Sequence, residues 1–304
     1  REAASPAQVD NWTISLTFEH KGFRDFSVGQ MKEAVKVFDQ LSRQFPQEAV
    51  RQLQMSDVLA RVGLGALARE YAQRAVELEP KLADAHEQLY FALARDQLGR
   101  DYGPGFDRKG ARAALETLIR LVPANAEHLA NLAILLEHSS DGSRYGLDAS
   151  LKEALDIYER LSKPIKADAT DPYFVSRAIV LGHLDQFAVI KSLVAKRPPS
   201  LERDAYLIAA TAALDGVEAA KQKGRQLAPD LATRREYFLN AGDLLNRFRK
   251  YSEAIELFEA GLGGPKDQQI REIVNSIRLL KRVQKSPLAE DDPAYVVRAV
   301  LQAL

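Results

Sequence analysis

One residue recurs along this chain at a near-constant interval. The segments MKEAVKVFDQL (31–41), LKEALDIYERL (151–161) and YSEAIELFEAGL (251–262) each place an alanine four residues ahead of an aromatic. Fainter copies run through GALAREYAQRAVELEP (65–80) and RKGARAALETLIRLVP (108–123). The shared alanine falls at Ala34, Ala68, Ala111, Ala154, Ala188, Ala220 and Ala254, in steps of 34, 43, 43, 34, 32 and 34 residues. Pro46, Pro80, Pro123, Pro198 and Pro229 follow most of these alanines and close the repeats. Such a period marks a stack of small supersecondary units, because one unit alone cannot bury its apolar face.

Each repeat reads as two helices. In the last clear copy, REYFLNAGDLLNR (235–247) has apolar positions at helical spacing, the pattern breaks at 248–250, and YSEAIELFEAGL resumes it. Helical spacing on both sides of a short polar break predicts a helix hairpin. Gly22, Ser56, Ala133 and Gly242 sit in first helices where the second helix should cross, opposite the repeated alanine. Only small side chains let two helix backbones approach at such a crossing. The proline that follows cannot continue the second helix, so it ends that helix and opens the next repeat.

These residues, in this phase, resemble the tetratricopeptide repeat, over about residues 15 to 265 and most weakly between 165 and 230. The resemblance implies an all-α fold, a right-handed α-solenoid of about seven stacked antiparallel hairpins spanning 1–265. Residues 266–304 then form a capping helix and a short terminal helix that starts at Pro293. Ile270, Ile273, Ile277 and Leu280 are expected to cover the apolar face left open at the end of the stack. In this family the first helices line a concave groove that takes a peptide or a partner helix. The resemblance therefore implies a non-catalytic scaffold for a protein or peptide partner.

Repeat phase places Asp57 and Arg61 in that groove, with Glu87, Phe91 and Arg95 in the next repeat. Ile134 and His138 follow, then Asp243, Asn246 and Arg247 in the last clear copy. Arg61, Arg95 and Arg247 occupy equivalent places, which would make a track for carboxylates or phosphates. Arginines near a helix C-terminus also answer the helix dipole, without any partner. Some family members grip a chain-terminal carboxylate with a Lys/Asn clamp. Glu87 and Phe91 stand where that clamp is wanted, so that mode is not expected here.

Each 43-residue step carries nine extra residues between the two helices of a repeat. One insertion is LGRDYGPGFDRKG (98–110), the other SSDGSRYGLDASLKE (139–153). By their letters, Arg100, Tyr102, Phe106 and Asp107 pair with Arg144, Tyr145, Leu147 and Asp148. Matched insertions in adjacent repeats should lie on one edge, one above the other. Their tyrosines could pack within each hairpin while the aspartates cap helices. Alternatively, Tyr and Arg could form a rim that grips a partner. The paired loops resemble bacterial repeat regions found upstream of transglutaminase-like domains of large exported proteins. That resemblance implies an accessory region of a larger bacterial transglutaminase- or peptidase-like protein, whose active site lies outside these residues in another domain of the same longer chain. It leans toward an extracytoplasmic setting, with the cytoplasm still open, and the non-Met start at Arg1 suggests an excised piece.

Composition narrows the chemistry. Forty-two Lys and Arg balance forty-two Asp and Glu over 304 residues, which argues against nucleic-acid binding by bulk attraction. No run approaches the roughly 20 apolar residues needed to span a bilayer, so no direct membrane insertion is expected. The chain has no cysteine, which removes disulfides, thiolate zinc sites and thiol nucleophiles. His20, His86, His128, His138 and His183 form no metal-ligand pattern. The glycines of 63–68 match a dinucleotide fingerprint loosely, but no strand precedes them. Asp141-Gly142-Ser143 opens like a calcium loop and then loses the spacing. Asn11-Trp12-Thr13 is a glycosylation sequon by letter. No catalytic residues, cofactor or metal site are expected.

Overall fold

A computed structural model describes residues 28–285 except 62, 98, 166–170 and 264–266; side chains of 28–34, 280 and 282–285 are also outside the description. Gly22, the side chains of Ala34 and Leu280, the sequon at Asn11 and the expected helix after Pro293 therefore lie outside the described residues. Fourteen helices occur among those described. They are α1 Val28–Gln44, α2 Ala49–Arg61, α3 Gly65–Leu78, α4 Ala83–Leu93, α5 Arg108–Leu121, α6 Ala126–Leu136 and α7 Leu151–Ser162. The series continues with α8 Phe174–His183, α9 Phe187–Ala195, α10 Leu201–Asp215, α11 Val217–Leu227, α12 Leu231–Arg247, α13 Tyr251–Ala260 and α14 Asp267–Lys285. The only bridges between extended residues are two isolated pairs in loops, among the described residues. No described helix is long and apolar enough to cross a membrane.

The chain divides into two compact halves, Arg1–Ala149 and Ser150–Leu304. In the first, α2 packs on α3 and α4 on α5, while the first helices α2 and α4 touch each other. In the second, α8 packs on α9, α10 on α11 and α12 on α13, and α14 covers α13. There α10 meets α12 and α11 meets α13, so first helices form one layer and second helices the other. This is the α-solenoid arrangement expected from the repeats.

The repeated alanine marks the same structural spot in five of the second helices. Ala68, Ala111, Ala154, Ala220 and Ala254 are each the fourth residue of their helix and are 0 % exposed. Their backbone N–H groups all donate four residues back, to Leu64, Asp107, Ser150, Gly216 and Lys250. Ala188 departs from this rule. It is the second residue of α9 and exposed, and Ile190 takes the fourth place, buried, with its N–H on the Gln186 carbonyl. Letter matching failed here because Phe187 begins the helix two residues later than the alanine phase implies. In the first helix of this hairpin Ala178 is buried too.

Crossings confirm the need for small residues elsewhere. A Cβ on Gly182 would come within 2.2 Å of Phe248, and one on Gly224 within 2.4 Å of Phe238. Short turns between the two helices of a hairpin share one geometry. The N–H groups of Leu64, Gln186 and Lys250 reach back to the carbonyls of Leu59, Leu181 and Leu245. In each, the residue before the donor is left-handed: Gly63 (φ 84°), Asp185 (φ 56°) and Arg249 (φ 59°). Such a six-residue closure ends a helix and reverses the chain at once. Helix starts carry caps from Asp107, Asn125, Ser200 and Asp230 side chains.

Along α14, Ile270, Val274 and Ile277 are the buried positions. Ile273, expected to cover the open end, is only half-buried and faces a cleft instead.

Candidate functional site

The two insertions fold alike, backbone bond for backbone bond. Asp96 N–H donates to Arg100 and Tyr102 N–H to Ala94; in the second loop Ser139 N–H donates to Ser143 and Tyr145 N–H to Glu137. Gly99, Gly103 and Phe106 repeat likewise as Gly142, Gly146 and Ala149. Tyr102 and Tyr145 both take left-handed backbone, at φ 50° and 59°. This register corrects the pairing by letters: Arg100 matches Ser143 and not Arg144, Phe106 matches Ala149 and not Leu147, and Asp107 precedes its helix as Ser150 does and not Asp148. Leu147 consequently stands fully exposed, whereas Phe106 is buried edge-on to Tyr102.

The loops lie against each other, as their matched placement suggested. Tyr102 stacks on His138 with ring centroids 3.9 Å apart. A Cβ on Gly142 would stand 2.2 Å from the Tyr102 carbonyl oxygen. The Tyr102 hydroxyl meets that of Tyr90 at 2.9 Å. Burial pushes both phenols above the ordinary tyrosine range. Each loop also holds a buried carboxylate: Arg100 donates to Asp96 at 2.6 Å, and Arg144 to Glu137 at 2.8 Å. Arg69 on α3 donates to the carbonyls of Ala92, Arg95 and Gly105, and Arg108 to that of Asp148. Asp107 caps α5 through Gly110 N–H, and Asp148 accepts from the Ser140 side chain and from its N–H, which hold its carboxyl below the usual range. The loop residues therefore hold one another in place.

His138, expected in the groove, is 7 % exposed and covered by Tyr102. Its Nδ1 donates to the Ile134 carbonyl at 2.8 Å, and burial pushes its pKa down to about 4. A ring so covered offers nothing to a partner. Ile134 is half-buried. The other groove candidates of this half are accessible: Glu87 lies 3.8 Å from the His128 ring, and Phe91 is exposed beside Tyr90.

Of the three equivalent arginines, each already carries a carboxylate. Arg61 pairs with Asp57 and Arg247 with Asp243, both at 2.9 Å one turn earlier. Phe91 stands at that earlier position before Arg95, so Arg95 turns to Asp101 in the loop, at 2.8 Å. Three self-neutralised pairs make a poor anion track.

In the second half, Asp243 and Arg247 line a cleft of about 250 Å³ with Tyr206, Leu201 and Val175. Asn246 is half-buried and does not line it. Burial pushes the Tyr206 phenol up to about 12, so it stays protonated at neutral pH. A larger cleft of about 650 Å³ adjoins, between α10, α12 and α14. Leu201, Asn240 and Asp243 belong to both clefts, which makes them one trough. Leu239, Ile270 and Ile273 give it an apolar wall, and Glu236 and Asn240 stand exposed at its edge. The repeat phase reached only the C-terminal end of this trough. Stepping back along α12 from Asp243 by helical turns to Asn240, Glu236 and Ala232 would have found the rest.

The buried alanine at five helix crossings, the first-helix and second-helix layers and the common turn decide the fold type. These hairpins are tetratricopeptide-like. Solved structures with a similar fold include YrrB, described as a tetratricopeptide-repeat protein with an unusual peptide-binding site. It is 14% identical, with 79% of this chain and 98% of that one covered and a TM-score of 0.37. A tetratricopeptide-repeat protein from Parabacteroides merdae is 12% identical, covering 82% of this chain and 93% of the other, at a TM-score of 0.44. A chain of the Naa15/Naa10 assembly bound to HypK is 15% identical at a TM-score of 0.49; it matches 96% of this chain, which spans only 41% of that longer one. No family model and no curated protein matches the sequence.

Proposed function

We propose that this chain is a non-catalytic module that holds a segment of another polypeptide on its first-helix faces, with the main site on α10, α12 and α14. One observation carries this reading: the joined clefts share Asn240 and Asp243 and run along consecutive first helices. A trough of that kind suits an extended peptide or a helix better than a compact metabolite. It is open along its length and offers apolar wall beside polar edge, the mixture that peptide grooves use. Arg61, Arg95 and Arg247 are not the anchors in this reading, because their carboxylate neighbours already hold them.

The test is a selection of phage-displayed random dodecamers on the full chain. Peptides recovered are measured again on Asn240→Arg, an exposed position in the middle of the trough. The expected result is binding lost at least tenfold with an unchanged melting temperature. Recovered peptides that bind Asn240→Arg as well as the parent would overturn the placement.

A further inference from the structure

The trough is not neutral, and its charges are unequally engaged. Its lining holds four carboxylates, Glu202, Glu236, Asp243 and Asp267, against two guanidiniums, Arg235 and Arg247; Glu202 lies 3.8 Å from Arg197, and Asp267 accepts from Gly263 N–H at 2.8 Å. Arg235 is turned onto the chain itself, with Nη1 donating to the Gly263 carbonyl at 2.5 Å. Arg247 is taken up by Asp243. Glu236 stands exposed one turn before Asn240, and its backbone carbonyl accepts from the Asn240 amide at 2.8 Å. Beside these carboxylates run Leu201, Leu239 and Ile273.

We infer that this trough selects a cationic, apolar segment of a partner protein, in which Lys or Arg side chains lie along the apolar wall and end at Glu236. The inference rests on the preceding reading and adds the chemistry of the occupant. Long basic side chains fit both surfaces at once, since their methylene stems cover apolar atoms while their heads stay at the polar edge. Charge attraction beside an apolar wall is screened less than in open water, so the carboxylate excess discriminates sign. An acidic segment would bring like charge against Glu236 and be rejected on that ground.

The sequences recovered from the dodecamer selection decide the matter, together with Glu236→Lys. Enrichment of Lys or Arg interspersed with Leu, Ile or Val is expected. Those peptides should bind Glu236→Lys at least tenfold more weakly, weaken with added salt on the parent chain, and leave the melting temperature of the variant unchanged. Acidic peptides, or peptides indifferent to Glu236→Lys but lost with Asn240→Arg, would overturn the inference and leave the peptide-binding trough standing. Peptides lost with neither variant would overturn both. Self-association in sedimentation that Glu236→Lys abolishes would assign the trough to a second copy of the chain and likewise overturn the inference.

Discussion

The ring of Tyr102 lies 11° from parallel to that of His138, at van der Waals contact, so one insertion loop uses the other as its floor. That contact makes the loop pair sensitive to acid. Burial first, then the charges of Arg144 and Arg108, hold the His138 pKa at about 4 instead of 6.5. The unfolded chain therefore binds this proton at a higher pH than the folded one. Stability from this site is full above pH 6.5 and falls as pH drops toward 4. The loss should reach about 2–3 kcal/mol. Urea unfolding at several pH values, beside His138→Phe, checks it; the variant should show a flatter profile. Identical profiles would remove the assignment.

Gly142 is where the second loop meets the Tyr102 carbonyl, and its φ of 89° also disfavours any side chain. Gly142→Ala should cost about 2–4 kcal/mol, combining left-handed strain with a clash against backbone that cannot yield. Gly105 has the same sign of φ with open space around it, so Gly105→Ala should cost only about 1 kcal/mol. Denaturant midpoints of the two variants give the comparison. Equal losses would mean that the loops do not touch at Gly142.

At the helix crossings, Ala254→Leu should destabilise by about 1–3 kcal/mol through overpacking, because the site is sealed. Ala188→Leu, at the exposed place that the letters alone had put in the series, should stay within about 0.5 kcal/mol of the parent. Matching effects at the two positions would contradict the register assigned to α9.

The turn before α13 offers a change in the other direction. Arg249 holds φ 59°, a conformation that costs a residue with Cβ about 1–2 kcal/mol. Arg249→Gly should raise stability by about 0.5–1 kcal/mol, the strain relief being partly offset by the freer unfolded chain. A lower melting temperature would show that the arginine side chain contributes more than its backbone strains.

Much of this architecture was legible because a crossing between helices tolerates only small side chains. That constraint wrote Ala68, Ala111, Ala154, Ala220 and Ala254 into the sequence in phase. It failed at Ala188, where the buried Ile190 takes the fourth place of the helix and a nearby alanine imitated the signal. The loops were legible as a pair but misaligned at their ends, since Phe106 and Leu147 look alike as letters and only hydrogen bonding sets their register. His138 fell at a groove position by repeat phase, and no periodicity could reveal that Tyr102, from another repeat, would lie over it. The trough was found only at Asp243 and Arg247. Its remaining wall comes from α14, a helix that reads in sequence as a plain cap, although Ile273 serves the cleft more than the core.

Stacked hairpins ordinarily meet along a single seam, and such a seam lets neighbours rock, as slats do on one cord. Where Tyr102 is clamped onto His138 and Gly142 is pressed beneath it, the seam gains a second fastening away from the first. Two fastenings resist rocking where one permits it. Under tension, this stretch of the N-terminal half should be the last of it to yield, a splint set among otherwise pliant joints.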